Sequence, residues 1–171
     1  TRVARLSPRA AGYVWRVMKR QGDHVKAGEV LALLDAAEVG KAKADFLQAL
    51  VQARLRRTAA ENLRTAGGVV PEPKRREAEA AVKDAEVRLL GAEQALLNLG
   101  LPVKVGDFEK ATLEMVVQSL RLLGVPEGLD GLNAATATAN LLPVRAPFAG
   151  VLVSVDVVGG EVVETGKVLF V

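Results

Sequence analysis

One pattern occurs twice in this chain, and that repetition constrains the fold more than any local propensity. The stretch 150–171, GVLVSVDVVGGEVVETGKVLFV, aligns without a gap on the stretch 12–34, GYVWRVMKRQGDHVKAGEVLALL. Gly12, Val17, Gly22, Val25, Gly28, Val30 and Leu31 fall on Gly150, Val155, Gly160, Val163, Gly166, Val168 and Leu169. An internal repeat of this kind decides architecture before residue-level reading begins. Each copy reads as a strand, a glycine turn, a short polar-apolar link, a second glycine turn and another apolar strand. The predicted product is two half-sheets packed face to face as a small sandwich. Gly12, Gly22, Gly28, Gly150, Gly160 and Gly166 shape its turns, with positive φ expected at Gly22 and Gly28. Everything from Asp35 to about Leu141 is then an insertion held at both ends by one β module.

Taken in order, residues 3–6 form a short strand candidate that stops at Ser7-Pro8. Residues 13–18 form the next, with Tyr13, Trp15 and Val17 on one face and Val14, Arg16 and Met18 on the other. Residues 29–34 follow as a strand. Asp35, with Glu38 three residues on, has the spacing of a helix-opening capping box. Between Ala36 and Ala66 only Gly40 disfavours a helix, by about 1 kcal/mol relative to Ala. Gly67-Gly68 ends that helix, and Pro71 opens a second that runs to about Leu99, before Gly100 and Pro102. Arms of roughly 30 residues are about 45 Å long, and a short Gly-Gly turn makes them antiparallel. In the second arm Ala78, Val82, Ala85, Leu89, Ala92, Leu96 and Leu99 keep an unbroken heptad seam. In the first, Val39, Ala42, Phe46, Ala49, Ala53, Ala60 and Leu63 keep the period, with Arg56 interrupting. Charges outside the seam, such as Arg54, Arg57, Glu61, Lys74 and Glu77, read as solvated helix faces. A third helix is predicted from Asp107, its cap, to Leu123, on an apolar stripe of Val116, Leu120 and Leu123. It is expected to pack at the hairpin base. A loop over residues 127–140 then returns to a strand at 141–145.

The predicted fold class is therefore α+β: a small β sandwich split by an antiparallel α-helical coiled-coil hairpin. Its segments are 1–35, the first half-sandwich; 36–102, the hairpin; 103–141, the return; and 142–171, the second half-sandwich.

Several kinds of chemistry are excluded by what the chain lacks. The net charge is +3 and aromatics make up 4%, so no basic face with stacking aromatics speaks for nucleic acid. There is no cysteine, hence no disulfide framework or thiolate metal site. His24 is the only histidine and reads as a surface turn residue; Met18 and Met115 alone do not make a soft-metal site. No carboxylate pair, phosphate-cradling loop or nucleophile-base set stands out. We expect no enzymatic activity, cofactor or resident metal. No apolar run has the length of a membrane span, and no signal-peptide pattern is present. The start at Thr1 and the apolar strand ending at Val171 read as a piece of a larger protein. At the hairpin tip, Leu63, Gly67, Gly68, Val69, Val70 and Pro71 put two valines about 45 Å from the sheet. They either cap the coil internally or dock a partner, and the docking reading is preferred because exposed apolar groups mark interaction sites.

The repeat resembles the two halves of a biotinyl/lipoyl domain, which implies that the sandwich is a lipoyl-like β barrel-sandwich hybrid. Carriers of that kind place a modifiable lysine at the joint between halves, which here reads Asp35-Ala36-Ala37-Glu38. Met18-Lys19 lies elsewhere, before Gly22. With a hairpin inserted between the halves, the chain resembles periplasmic adaptors, the membrane fusion proteins of the HlyD-like class. The residues that carry the resemblance are 12–34, DAAEVGKAKADFLQAL, AEVRLLGAEQALLNLGLP and APFAGVLVSVDVVGGEVVETGKVLFV. The arms are most similar to the heavy-metal and cation branch that partners resistance-nodulation-division (RND) transporters. The resemblance implies a periplasmic adaptor bridging an inner-membrane efflux transporter and an outer-membrane channel. Hairpin tips would meet the channel, and sandwiches would self-associate into a ring. Drug-type adaptors carry a tip with Arg four residues before Leu and Ser seven after; set on Leu63, those positions hold Ala59 and Val70. The same architecture serves ABC-type and type I secretion exporters, and a carrier-like domain is the more distant alternative.

Overall fold

The computed structural model describes residues 2–66, 70–129 and 139–171. In chain order these form β1 (Gly12–Val17), β2 (His24–Val25), β3 (Val30–Asp35), α1 (Ala37–Thr65) and α2 (Glu72–Asn98). A 3₁₀ turn (Val105–Phe108), α3 (Leu113–Arg121), β4 (Leu141–Arg145), β5 (Gly150–Val151) and β6 (Val162–Val163) follow. One sheet has the order β4-β3-β1-β6 and the other pairs β2 with β5, every named pairing being antiparallel.

That order corrects the expected half-sheets, because neither sheet belongs to one copy of the repeat. The copies exchange strands. Gly12 pairs with Val163, and its counterpart Gly150 pairs with Val25, the counterpart of Val163. The backbone bonds repeat the exchange. Gly22 N–H donates to Leu152 O at 2.8 Å, and Gly160 N–H to Val14 O at 2.9 Å. Val14 N–H donates to Glu161 O at 2.7 Å, and Leu152 N–H to Asp23 O at 3.0 Å. Such reciprocity is a pseudo-two-fold axis within one chain. The bridge of Leu6 to Phe170 matches the pair Val144 to Ala32, so the repeat extends upstream of its first glycine.

A β-bulge changes the faces of β1. The register slips between Val14 and Arg16, which leaves Trp15 as the extra residue and breaks strict alternation. Tyr13 (48%) and Trp15 (39%) are both exposed, as is Arg16, while Val14 is fully buried. The second copy bulges at the same place, where Val153 and Ser154 both donate to Val171 O.

The helix cap lies one residue later than predicted. Asp35 is still in β3, opposite Tyr13 and Leu141. The helix cap is Ala36, buried and without a side-chain bond, whose N–H donates to Asn140 O at 3.0 Å. A Cβ at Gly40 would meet the Asn140 side-chain oxygen, which would have to move aside. At the far end of α2, Gly100 (φ 80°) lets Leu101 N–H reach Leu96 O and Gly100 N–H reach Leu97 O, both at 2.9 Å. This is a Schellman motif, with the usual apolar contact between its two buried leucines, Leu96 and Leu101. The third helix is shorter than predicted: Asp107 lies inside the 3₁₀ turn, and Thr112 caps α3 by accepting from Met115 N–H at 3.3 Å. A continuous core runs from Leu31, Leu169 and Phe170 in the sandwich, through Val39, Phe46 and Leu96, to Val116 and Leu120.

Candidate functional site

The hairpin is built as a stiff arm. Ala85, Leu89, Leu96 and Leu99 of the α2 seam are buried, and Ala78, Val82 and Ala92 are half-buried. They face Val39, Ala42, Phe46 and Ala53 of α1. Alanine in alternation with leucine lets the axes approach closely while keeping the register unique. Among the described residues one ion pair joins the arms, Arg57 to Glu86 at 2.9 Å. The other pairs on the hairpin, Arg64–Glu61, Arg75–Glu72, Arg76–Glu72 and Arg88–Asp84, lie within one arm. Exposed pairs of this kind contribute about 0–1 kcal/mol each. The apolar seam, not the charges, holds the arms together.

Of the predicted tip residues, Gly67, Gly68 and Val69 lie outside the described residues. Leu63 is half-buried in the last turn of α1, Val70 is half-buried, and exposed Pro71 is the N-cap of α2. The six sandwich glycines sit at the opposite end. Gly22, Gly28 and Gly160 have φ of 90°, 79° and 91°. Gly150 and Gly166 do not occupy that region, and Gly12 is required for space, because a Cβ would overlap the Asp35 carbonyl.

Sequence reasoning missed how the hairpin base is fixed. Four cationic side chains each reach backbone carbonyls at helix ends or turns. Arg9 donates to Asn98 O at 3.0 Å, where α2 ends. Arg54 donates to Phe108 O, at the end of the 3₁₀ turn. Arg145 donates to Gly28 O at 2.9 Å and Gly124 O at 3.1 Å. Lys43 donates to Arg121 O and Leu123 O, both at 3.4 Å, where α3 ends. Helix C-termini present carbonyls without intrahelical donors and a partial negative charge, so cations are favoured there. Phe108 adds an edge-on contact to Phe46, with ring centroids 5.9 Å apart. Burial lowers the Lys43 pKa to about 8. A signal was available in the sequence: Lys43 interrupts the apolar stripe Val39, Phe46, Leu50 on α1.

Elsewhere the titratable groups form ordinary pairs. Lys19 is bound to Glu29 at 2.6 Å, and that hydrogen bond raises its pKa. Its amine is engaged within the first copy and does not stand at a joint between halves. His24 is exposed in β2 opposite Val151; Met18 lies in the sandwich and Met115 on α3. Among the described residues, no group of three His, Asp or Glu side chains is placed to hold a metal ion. No described helix is long and apolar enough to cross a membrane.

This architecture has relatives. Residues 2–171 match the family described as the CzcB-like, barrel-sandwich hybrid domain. The chain belongs to this family. Over 86 residues, 49% of the chain, it is 41% identical to the nickel and cobalt resistance protein CnrB of Cupriavidus metallidurans, of which it covers 22%. ZneB from Cupriavidus metallidurans shares the fold with a TM-score of 0.58 at 21% identity, over 98% of this chain and 58% of that one. A MacA-MexA chimeric protein with the Pseudomonas aeruginosa MexA α-hairpin superposes with a TM-score of 0.56 at 17% identity, over 98% and 46%. The CzcB-like chain thus spans about a fifth of CnrB and somewhat over half of ZneB. The sandwich split by a helical hairpin, expected from the repeat, is the barrel-sandwich hybrid of this family, and ZneB and the MacA-MexA chimera share the fold.

Proposed function

We propose that this CzcB-like chain is the sandwich-and-hairpin part of a non-enzymatic periplasmic adaptor. It would link an inner-membrane RND-type efflux transporter to an outer-membrane channel in a system that exports metal cations. The observation that carries the reading is mechanical: a long two-helix arm with a continuous seam is fixed at both ends on one module. Similarity to a nickel and cobalt resistance protein favours the metal branch over the ABC-type alternative. In this reading the tip around Leu63, Val70 and Pro71 docks the channel. The sandwiches pack side by side into a ring, and contacts with the transporter come from parts of the longer relatives that this chain does not cover.

Rigidity is the mechanism. An arm whose base is tied to backbone carbonyls by Arg9, Arg54 and Arg145 transmits the position of the ring to the tip without bending. The test is photocrosslinking from position 70 in cells that carry the candidate channel, with a probe at Glu86 in mid-arm as the control. A channel adduct from position 70 that is lost at position 86 supports docking. Adducts confined to the hairpin would show that the valines cap the coil, and the docking reading would fail.

A further inference from the structure

Lys43 is the one charged side chain among the described residues that is buried, at 3% exposure. It projects from α1 between Val39 and Phe46, both fully buried, and its ammonium is held only by the two carbonyls that end α3. No described carboxylate forms an ion pair or hydrogen bond with it. On α1 itself, Lys41 and Asp45 are exposed two positions away, on the opposite side of the helix. From α3 the charged group at this end is Arg121, and Glu114 is exposed in the first turn. From β4 it is Arg145, whose guanidinium holds Gly124 O beside Leu123. From the 3₁₀ segment, Asp107 and Glu109 are exposed. The ammonium, lying where α3 ends, is therefore withdrawn from water and compensated by carbonyl dipoles alone, at the long end of hydrogen-bonding distance.

The hold of α3 on the hairpin is otherwise narrow. Within the helix only Val116 and Leu120 are buried, while Leu113 and Met115 are more than half exposed. A desolvated charge under so small an apolar footprint weighs heavily in the balance between seated and released helix.

We propose that Lys43 makes α3 a proton-sensitive strap on the hairpin base, seated more firmly when the amine is neutral and more loosely when it is charged. The sign follows from linkage. With α3 seated, Lys43 has its pKa lowered from 10.5 to about 8 by burial. With α3 released, the amine returns to water and toward the ordinary value. Between those values the released form binds more protons, so raising the pH through this window favours seating. Below about pH 8 the charge is carried under the strap at a cost.

Hydrogen exchange of the amides in residues 113–121, corrected for intrinsic rates, tests this on the whole chain. From about pH 6.5 to about pH 9.5 their protection should rise roughly tenfold to thirtyfold. Complete unfolding also frees Lys43, so the strap is read from α3 amides that exchange well before that of Leu89 in the seam. In Lys43→Met, which keeps length and apolar packing, the pH dependence should vanish. In Lys43→Arg, α3 should be less protected at every pH in the range. Direct NMR titration of the Lys43 amine in the unsubstituted chain, with an expected midpoint of about 8, keeps the test independent of whether a variant folds. A midpoint at the ordinary lysine value, a flat α3 profile, α3 protection no lower than that of Leu89, or a dependence that survives in Lys43→Met would each overturn the strap.

Discussion

A side chain at Gly12 would collide with the carbonyl of Asp35, whereas at Gly150, its counterpart in the second copy, a Cβ would meet nothing within 4 Å. The two positions make equivalent backbone pairings, yet only the first lies beneath the point where β3 passes into α1. A second contrast lies at Gly28 and Gly166. Gly28 has φ of 79°, donates to Ala146 O and accepts from Arg145, whereas Gly166 is not in the left-handed region. The surfaces diverge further. Where the first copy has Arg20 and His24, the second has Val158 and Val162, which are 66% and 74% exposed. Shared backbone bonds keep the two copies alike, then, while the hairpin exit has made the first copy intolerant at positions that the second leaves free.

Substitution at paired positions can break this comparison. Gly12→Ala should cost about 2–3 kcal/mol or more in denaturant unfolding, through a clash with backbone that cannot yield, and Gly150→Ala less than about 0.5 kcal/mol. Equal costs would mean that the exit to α1 does not distinguish the copies. Gly28→Ala should cost about 1–2 kcal/mol because its φ is left-handed. Gly166→Ala should be neutral or stabilising by up to about 1 kcal/mol, through the unfolded chain. Gly22→Ala and Gly160→Ala should instead match each other, since both residues sit near 90°. Importing the first copy's surface by Val158→Arg with Val162→His should leave stability within about 0.5 kcal/mol, as a melting curve would show.

The smallest effect concerns pH. Hydrogen bonds from Lys19 and Lys167 hold the carboxyls of Glu29 and Glu161 below their ordinary value of 4.5. Folded carboxyls with lowered pKa stabilise the protein above that value, and the contribution is lost as pH falls through their folded pKa. Glu29→Gln and Glu161→Gln should each slightly flatten the acid limb of a melting-temperature profile, and high salt should shrink the difference. A flattening in one copy only would show that the two ion pairs, formed between non-equivalent positions, are not energetically equivalent.

The glycine spacing and the α2 seam made the architecture legible, because both are local periodicities with one structural solution. The exchange of strands was not legible. Hydrogen bonds such as Gly22 to Leu152 join residues far apart in sequence, and either copy pairing with itself would satisfy the same pattern. Trp15 showed no sign of its bulge, since alternation reads the same whether or not one residue is left over. Asp35 and Asp107 looked like caps by spacing. Pairing with Leu141 kept Asp35 in its strand, and Thr112 lay nearer the apolar stripe that defines α3. Arg54 shows the commonest failure of this kind of reading: a charge on a helix was assigned to solvent, although it is half-buried and donates to Phe108 O on a second packed face of α1.

The exchange of strands also dictates an order of assembly. Neither copy can complete its ladders before the other has been synthesised, and the whole hairpin lies between them in the chain. The two arms have no such dependence, because they are adjacent in sequence, and helix formation is fast compared with non-local strand pairing. A nascent chain that has not yet produced β4 would hold a formed hairpin above an unpaired first copy. Its β3, Val-Leu-Ala-Leu-Leu-Asp, would still wait for the strand it meets at Leu141–Arg145. By turning the chain back toward its own base, the arm proposed to reach outward would first serve as the jig on which its own platform is put together.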